Sequence, residues 1–374
     1  MRQTLVIEHL MRGLIVSIAV LTVSCSSSRE WNFDAAFWPE ADQLFQNDPF
    51  WVGGDDAYSI PLDRNQTLWL FADTVIDTSG RHSRHTARMI RNSLAIQDGS
   101  DPSSADISFF WNRDSLGQPS SFFPENDGDW FWPGHGLRLD DRLILFLMRV
   151  RGIPTGIGFE VYDWEAVLIP NPDDRPSDWD VRWLDVPGND FQVIIGSASV
   201  FEMKGHIYAF GAREGHFDHP VYVVRWPKGD VLDGNLADIE WWVQSSGTWV
   251  PQPELGGLLE PVFQNGQTEF TVHFEKRMDR YLCVQSVDFG ASNIYCRTAK
   301  FFTGPWTDPV NIFEPPEKSK PNIMIYAAKA HPQLIGADVV LTYATNSFEF
   351  SDLASDTTIY YPRFVRLDVV DSRQ

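Results

Sequence analysis

Three carboxylates bracket the stretch GGDDAYSIPLDRNQTLWLFADT, residues 53–74: Asp55 and Asp56 open its first apolar run and Asp73 closes its second. Carboxylates gathered in a partly dry cleft resist ionising together, so one pKa rises and the set divides into an acid and a base. Hydrolysis of a glycosidic bond uses that division. One carboxylic acid protonates the leaving oxygen, and one carboxylate acts on water or on the anomeric carbon. Antiparallel pairing across the polar turn DRNQ returns Asp73 to the side of Asp55 and Asp56. Side chains alternate along a regular strand, so only one of Asp55 and Asp56 is expected to face a shared site. The plainer reading makes Asp55 and Asp56 turn residues after Gly53-Gly54, with Asp73 bonded locally near Thr74.

The elements that must position these groups are strands. Helical periodicity is scarce, and short β-branched and aromatic runs recur between Gly, Pro, Asn and Asp. One unit repeats: a strand opening on a polar residue, a tight turn, then a strongly apolar strand. It appears as DAYSIPL-DRNQ-TLWLFADT, HGLRL-DD-RLILFLMR, SASVFEM-KG-HIYAFGAR, EFTVHFE-KRMD-RYLCVQSV and KAHPQL-IGA-DVVLTYATN, with apolar strands beginning near residues 68, 143, 207, 281 and 339. A third run follows each unit, at 91–97, 159–169, 221–227, 293–302 and 358–370, and fourth runs stand at 107–112, 179–186 and 239–245. Four strands per copy, repeated radially, predict an all-β, five-bladed β-propeller. The fifth copy lacks a fourth strand, and the N-terminal WNFDAAFWP is expected to supply it and close the ring. A β-sandwich accommodates five matched units poorly.

In a propeller the first strand of each blade lines the channel. Polar residues at those strands then converge: Asp55 and Asp56, His135, Ser197 and Ser199, Glu269, and Lys329 with His331. From this set we expect Asp55 and Asp73 as catalytic carboxylates with Glu269 as the alternative acid. Asp56, His135, Ser197, Lys329 and His331 are expected to bind substrate or tune the carboxylates, and Trp132 in DGDWFWPGH offers a face for a sugar ring. Satisfied histidines near loops and a solvated Glu269 are the plainer readings. No close-spaced His, Cys or carboxylate set marks a metal site, and no phosphate loop, nucleophile elbow, HExxH or CxxC occurs; neither metal nor cofactor is expected. The basic run RHSRHTARMIR, residues 81–91, reads as a loop patch or as a subsite for an acidic substrate.

Composition sets the boundaries. The chain has 374 residues, 43% of them apolar, and a formal charge of −21, which repels nucleic acid and anionic lipid headgroups at long range. Fifteen Trp, 26 Phe and 10 Tyr serve core packing or sugar stacking. Arg12 precedes the apolar run LIVSIAVLTV at 14–23, too short to span a bilayer, and Cys25 follows Ser24 as at a lipoprotein cleavage site. Residues 1–24 are expected to be a signal peptide, Cys25 the lipidated residue, 25–30 a tether and 31–374 the propeller. The product is expected to be a monomer at the bacterial cell envelope. Cys283 and Cys296 lie equally far from the centre of a DFGAS turn, so a symmetric hairpin would oppose them; a disulfide and two buried thiols are the alternatives.

The segments GGDDAYSIPL…TLWLFADT, TEFTVHFEKRMDRYLCVQS, RTAKFFTGPW and YAAKAHPQL…VVLTYATNS resemble a family of bacterial domains related to five-bladed glycoside hydrolases, over residues 45 to 370. Some relatives are endo-acting D-arabinan hydrolases, and members are often exported or lipid-anchored. The resemblance places the first motif aspartate on Asp55, the second on Asp73 and the fourth-blade glutamate on Glu269. Asp56 stands where the family usually has Gly, and Ala72 where Gly often precedes Asp-Thr. The resulting expectation is a hydrolase acting on a polysaccharide, an arabinan-type glycan among the candidates. The rivals are a non-catalytic glycan-binding propeller and a structural cell-surface protein.

Overall fold

The computed structural model describes residues 31–214, 218–288 and 290–372. The signal peptide, the Cys25 lipidation site and the tether lie outside these residues. Five antiparallel sheets stand around one axis, and Asn112–Arg113 pairs with Pro119–Ser120 in a separate small hairpin beside blade 1. Blade 1 is built from Trp51–Pro61, Gln66–Ile76, Ser93–Asp98 and Asp106–Phe110, and blade 2 from Asp129–Leu139, Arg142–Gly152, Phe159–Ile169 and Arg182–Trp183. Blade 3 holds Val193–Met203, His206–Arg213, Val221–Pro227, Glu240–Val243 and an additional edge strand, Thr248–Pro251. Blade 4 holds Thr271–Glu275, Arg280–Ser286, Ile294–Ala299 and Val310–Phe313. Blade 5 runs Ile323–Ala330, Val339–Ser347, Arg363–Asp371 and then Trp31–Phe37. The first strands touch one another around the ring, so they form the hub.

The N-terminal strand closes that ring. Trp31–Phe37 pairs antiparallel with Arg363–Asp371, from Trp31 opposite Asp371 to Phe37 opposite Val365. Closure removes a sheet edge that would otherwise expose unpaired amides and carbonyls. The helix Pro39–Gln46 then fills the gap before blade 1, burying Ala41, Leu44 and Phe45. Phe45 meets Trp69 and Phe71 edge-on at 5.0 and 5.4 Å, joining blades 5 and 1. Asp42 on the same helix takes bonds from Arg363 Nε and the Phe364 amide, both at 2.8 Å. Burial raises its carboxyl to about 6 against the pull of Arg363.

Tight hairpins join first and second strands. Arg64 and Asn65 take positive φ in blade 1, and Lys204-Gly205 does so in blade 3, the twist that suits two-residue turns. Buried aromatics fill the wedges between blades. Phe146, Trp164 and Trp226 cluster at 5.9 to 6.4 Å between blades 2 and 3, which assigns many of the aromatics to packing.

Two expectations are corrected here. KAHPQL is not the first strand of blade 5. That strand is Ile323–Ala330, and His331–Asp338 forms the turn, with the Leu334 amide bonded to the His331 carbonyl at 3.0 Å. The apolar run IMIYAA extends the strand toward the N-terminus, and Pro332 has no amide to continue it. Cys283 and Cys296 are free, buried thiols and form no disulfide. Cys296 opposes Val284 and Cys283 opposes Arg297, so the register is offset by one residue and the two sulfurs leave opposite faces of the sheet.

Candidate active site

The hub strands lose register at one level in four of the five blades. Pairing slips between Gly54, Asp56 and Tyr58 in blade 1, beside Gly136 and Pro133 in blade 2, between Ile195 and Val200 in blade 3, and between Tyr326 and Lys329 in blade 5. The surplus residues adopt left-handed φ: Asp56 at +69°, Ala57 at +63°, Gly196 at +74° and Ala327 at +54°. At Gly196 a Cβ would fall 2.3 Å from the Phe146 ring, so only glycine fits. Bulges of this kind re-aim side chains. Asp55 and Asp56 accordingly both turn into the hub. Asp55 meets Tyr326 and Asp56 meets Lys329, two residues of the same blade 5 strand. The strict alternation expected from the sequence is broken there.

Polar groups stitch neighbouring blades together at this level, and one bond crosses from blade 1 to blade 3. His135 Nδ1 accepts from the Val200 amide at 3.0 Å, Ser199 Oγ from the Val272 amide at 2.5 Å, and Thr271 Oγ1 from the Ala330 amide at 2.7 Å. Lys329 Nζ donates to the Asp56 carbonyl at 2.8 Å, and the Tyr58 hydroxyl donates to the Ser197 carbonyl.

Four carboxylates share this hub. Asp55 Oδ2 accepts the Tyr326 hydroxyl at 2.5 Å, while its Oδ1 has no hydrogen-bond partner among the described residues. Burial, then repulsion from Asp73, raises the Asp55 pKa well above the usual carboxylate range. Lys329 Nζ lies 2.7 Å from Asp56 Oδ1, 3.3 Å from Glu269 Oε1 and 4.2 Å above the Tyr58 ring. Burial also raises Asp56 strongly, against the pull of Lys329. Burial pushes Glu269 the same way, but Lys329 and a hydrogen bond from Asp56 outweigh it and leave Glu269 below its ordinary value. Burial thus favours the neutral form of Asp56, and Lys329 favours the charged form of Glu269. Asp73 Oδ1 accepts from Trp132 Nε1 at 3.0 Å, and its Oδ2 lies 3.3 Å from Arg91. Burial raises Asp73 despite Arg91.

Access separates the expected site residues. Glu269 and Asp73 keep 22% and 17% of their side chains open, whereas Asp56 and Lys329 are closed at 0%. Asp56 and Lys329 are thus closed to solvent, with Lys329 set between Asp56 and Glu269. Ser197 is fully buried, with its carbonyl taken by Tyr58. His331 is buried, with Nδ1 2.5 Å from Ser59 Oγ and Nε2 2.8 Å from Thr342 Oγ1, so it is a structural link. His135 bonds Val200 and the Ser59 backbone, and burial pulls its pKa down to about 4. These four side chains were expected to bind substrate or tune its carboxylates. Packing around the bulges sets Lys329 beside Asp56 and Glu269, closes Ser197 and His331 to solvent, and leaves His135 half-buried. Trp132 stays half-buried, bonded to Asp73 and packed at 4.9 Å against Phe159. Tyr326 and Arg91 were not anticipated as site residues. Tyr326 was hidden by the misplaced strand, and Arg91 by its position in the basic run.

A family profile described as "Domain of unknown function (DUF5005)" matches residues 39–369. No curated protein matches the chain. Among solved structures, a Bacteroides ovatus protein described as a candidate hydrolase is similar at 17% identity and TM-score 0.71, over 92% of each chain. The catalytic domain of a Coprinopsis cinerea family 62 α-L-arabinofuranosidase is similar at 9% identity and TM-score 0.47, over 92% of this chain and 98% of that one. A family 117 glycoside hydrolase of Zobellia galactanivorans is similar at 10% identity and TM-score 0.47, over 91% of each. At such identities the likeness is one of fold.

Proposed function

This chain belongs to the family described as "Domain of unknown function (DUF5005)", and we propose that it hydrolyses glycosidic bonds of a polysaccharide at the propeller hub. The observation that carries this reading is the meeting of Asp55 and Asp73, on one hairpin, with Glu269 from a distant part of the sequence, beside a half-buried tryptophan. Their environments push the carboxylates in opposite directions, which separates acid from base. Asp55, held protonated by burial and by Asp73 and only partly closed to solvent as a residue, gives its proton to the leaving oxygen. Glu269, held ionised by Lys329, acts on water or on the anomeric carbon. Asp73 keeps Asp55 protonated through repulsion and fixes Trp132, whose exposed face packs against the sugar. This revises the pairing read from the sequence. Glu269 becomes the ionised partner of Asp55, and Asp73 becomes the group that tunes it.

The proposal includes export and lipid attachment at Cys25, read from the N-terminal sequence. A panel of polysaccharides assayed for new reducing ends, arabinans first, tests the activity. We expect one class of glycan to be cleaved, with cleavage lost in Asp55→Asn and Glu269→Gln while binding persists. Binding without cleavage by the unaltered protein would support a glycan-binding propeller instead.

A further inference from the structure

The basic run at 81–91 is not used by the hub chemistry beyond Arg91, and it leads to an open groove. Arg84 is committed to the fold, with Nε 2.6 Å from the Val52 carbonyl and Nη1 3.0 Å from the Leu353 carbonyl. Arg88 and Arg113, by contrast, line a groove of about 460 Å³ on the flank of blade 1, together with Asn112, Ser120, Ser121 and Glu125. The groove adjoins Asp73 at two points. The Arg91 amide donates to Ser121 Oγ at 3.0 Å while its guanidinium reaches Asp73, and the charge of Glu125 acts on Asp73.

The two arginines remain available to a ligand. Arg113 Nη1 donates to the Gly117 carbonyl at 2.8 Å, a neutral acceptor. Arg88 lies 3.1 Å from Asp114 and is 49% exposed. Asp114 itself is engaged by the Leu116 and Gln118 amides, both at 2.9 Å, and organises the hairpin that carries Arg113. The next groove, across Pro124 and Glu125, has the opposite character. Glu125, Glu165 and Asp185 line it beside Trp183, which is 42% exposed and packs at 4.8 Å on Phe131. That compartment repels an anion and offers a ring face. The first offers two guanidiniums and hydrogen-bonding side chains against the one carboxylate the grooves share, Glu125, the chemistry that grips a carboxylate or a sulfate. It does so in a chain of net charge −21, where a general field would turn an anion away.

We propose that the Arg88–Arg113 groove binds an oxyanion-bearing sugar unit, carboxylated or sulfated, of the same polymer that is cleaved at the hub. This rests on the hydrolase reading for its link to turnover. The neighbouring Trp183 groove takes a neutral unit.

Calorimetric titration of the full-length Asp55→Asn protein tests it. The probes are galacturonan oligosaccharides against their carboxyl-reduced counterparts, and sulfated galactan oligosaccharides against desulfated ones. The expected result is affinity about tenfold higher for one oxyanionic probe than for its neutral counterpart. That ratio falls toward one in Arg88→Ala/Arg113→Ala and in the exposed single variant Arg113→Gln. Whichever pair shows the ratio identifies carboxylate or sulfate. A ratio of one in both pairs, a ratio that survives both variants, or no binding of any probe overturns the inference. If neutral glycans are cleaved by the unaltered protein while the ratio is one, the groove assignment fails and the hydrolase stands. If the ratio is found but no glycan is cleaved, the hydrolase reading fails and the groove stands.

Discussion

Asp55 is placed at a cost to the fold. Its raised pKa means that the folded protein holds the proton more tightly than the unfolded chain does. Its contribution to stability is full below about pH 3.9 and is lost as pH rises through the folded value. Replacing it with a neutral isostere should therefore stabilise the protein while removing the acid. We expect Asp55→Asn to lose about 10²–10⁴-fold in kcat and to gain about 0.5–2 kcal/mol in stability at pH 7, measured by turnover and by denaturant unfolding. The pH profile of kcat/KM should be bell-shaped. Its alkaline limb follows deprotonation of Asp55 above the ordinary carboxylate range, and its acid limb follows protonation of Glu269 below it. His135 works in the other direction. Folding pulls it down to about 4, so its share of stability is full above about pH 6.5 and is lost as pH falls toward 4. Thermal melts of His135→Gln should show a shallower loss of stability between pH 6.5 and 4 than the parent, by about 3 kcal/mol at most.

The bulges do the positioning at the level of single strands, and they mark the limit of what the sequence discloses. The DRNQ hairpin was legible because polar turn residues between two apolar runs fix a register; Gly54 opposes Thr74 and Leu70 opposes Tyr58, which sets Asp73 near Asp55. The bulges were not legible. A regular period of two assigns Asp55 and Asp56 to opposite faces, and nothing in DDAY announces two consecutive residues of positive φ. The same limit misled the cysteine argument, where a one-residue offset in the Cys283–Cys296 hairpin was enough to part the sulfurs. Gly196 is the sharpest test of the bulge geometry. Gly196→Ala must place a methyl into Phe146 at positive φ, so we expect a loss of about 2–4 kcal/mol in denaturant unfolding, larger than a surface Gly→Ala change gives.

The ring as a whole sets which way the site faces. The hub carboxylates lie toward the end where first strands begin, and the hairpins at Lys204-Gly205 and Arg64-Asn65 lie at the other end. In blade 5, Ile323 opposes Ser347 at the site end, whereas Trp31 opposes Asp371 past the Val339–Leu367 pair at the far end. The closing strand thus enters from the face opposite the site. A lipid on Cys25, six residues before Trp31, would hold the mouth away from the bilayer and open to polymer. We expect Cys25→Ser to move the protein from the membrane to the soluble fraction with its turnover of a soluble glycan retained. Five-fold closure by the N-terminal segment was readable from the missing fourth strand of the last repeat. The distinction between carboxylates held neutral and carboxylates held ionised was not, because burial at the hub depends on how five strands pack. That distinction is tested most directly by carbon-13 titration of the side-chain carboxyls, which requires no knowledge of the substrate. The spectrum of the unaltered protein should contain a carboxyl that titrates well above the ordinary range and is absent from Asp55→Asn. A protein whose Asp55 carboxyl ionises with its exposed aspartates would contradict the division of roles at the hub.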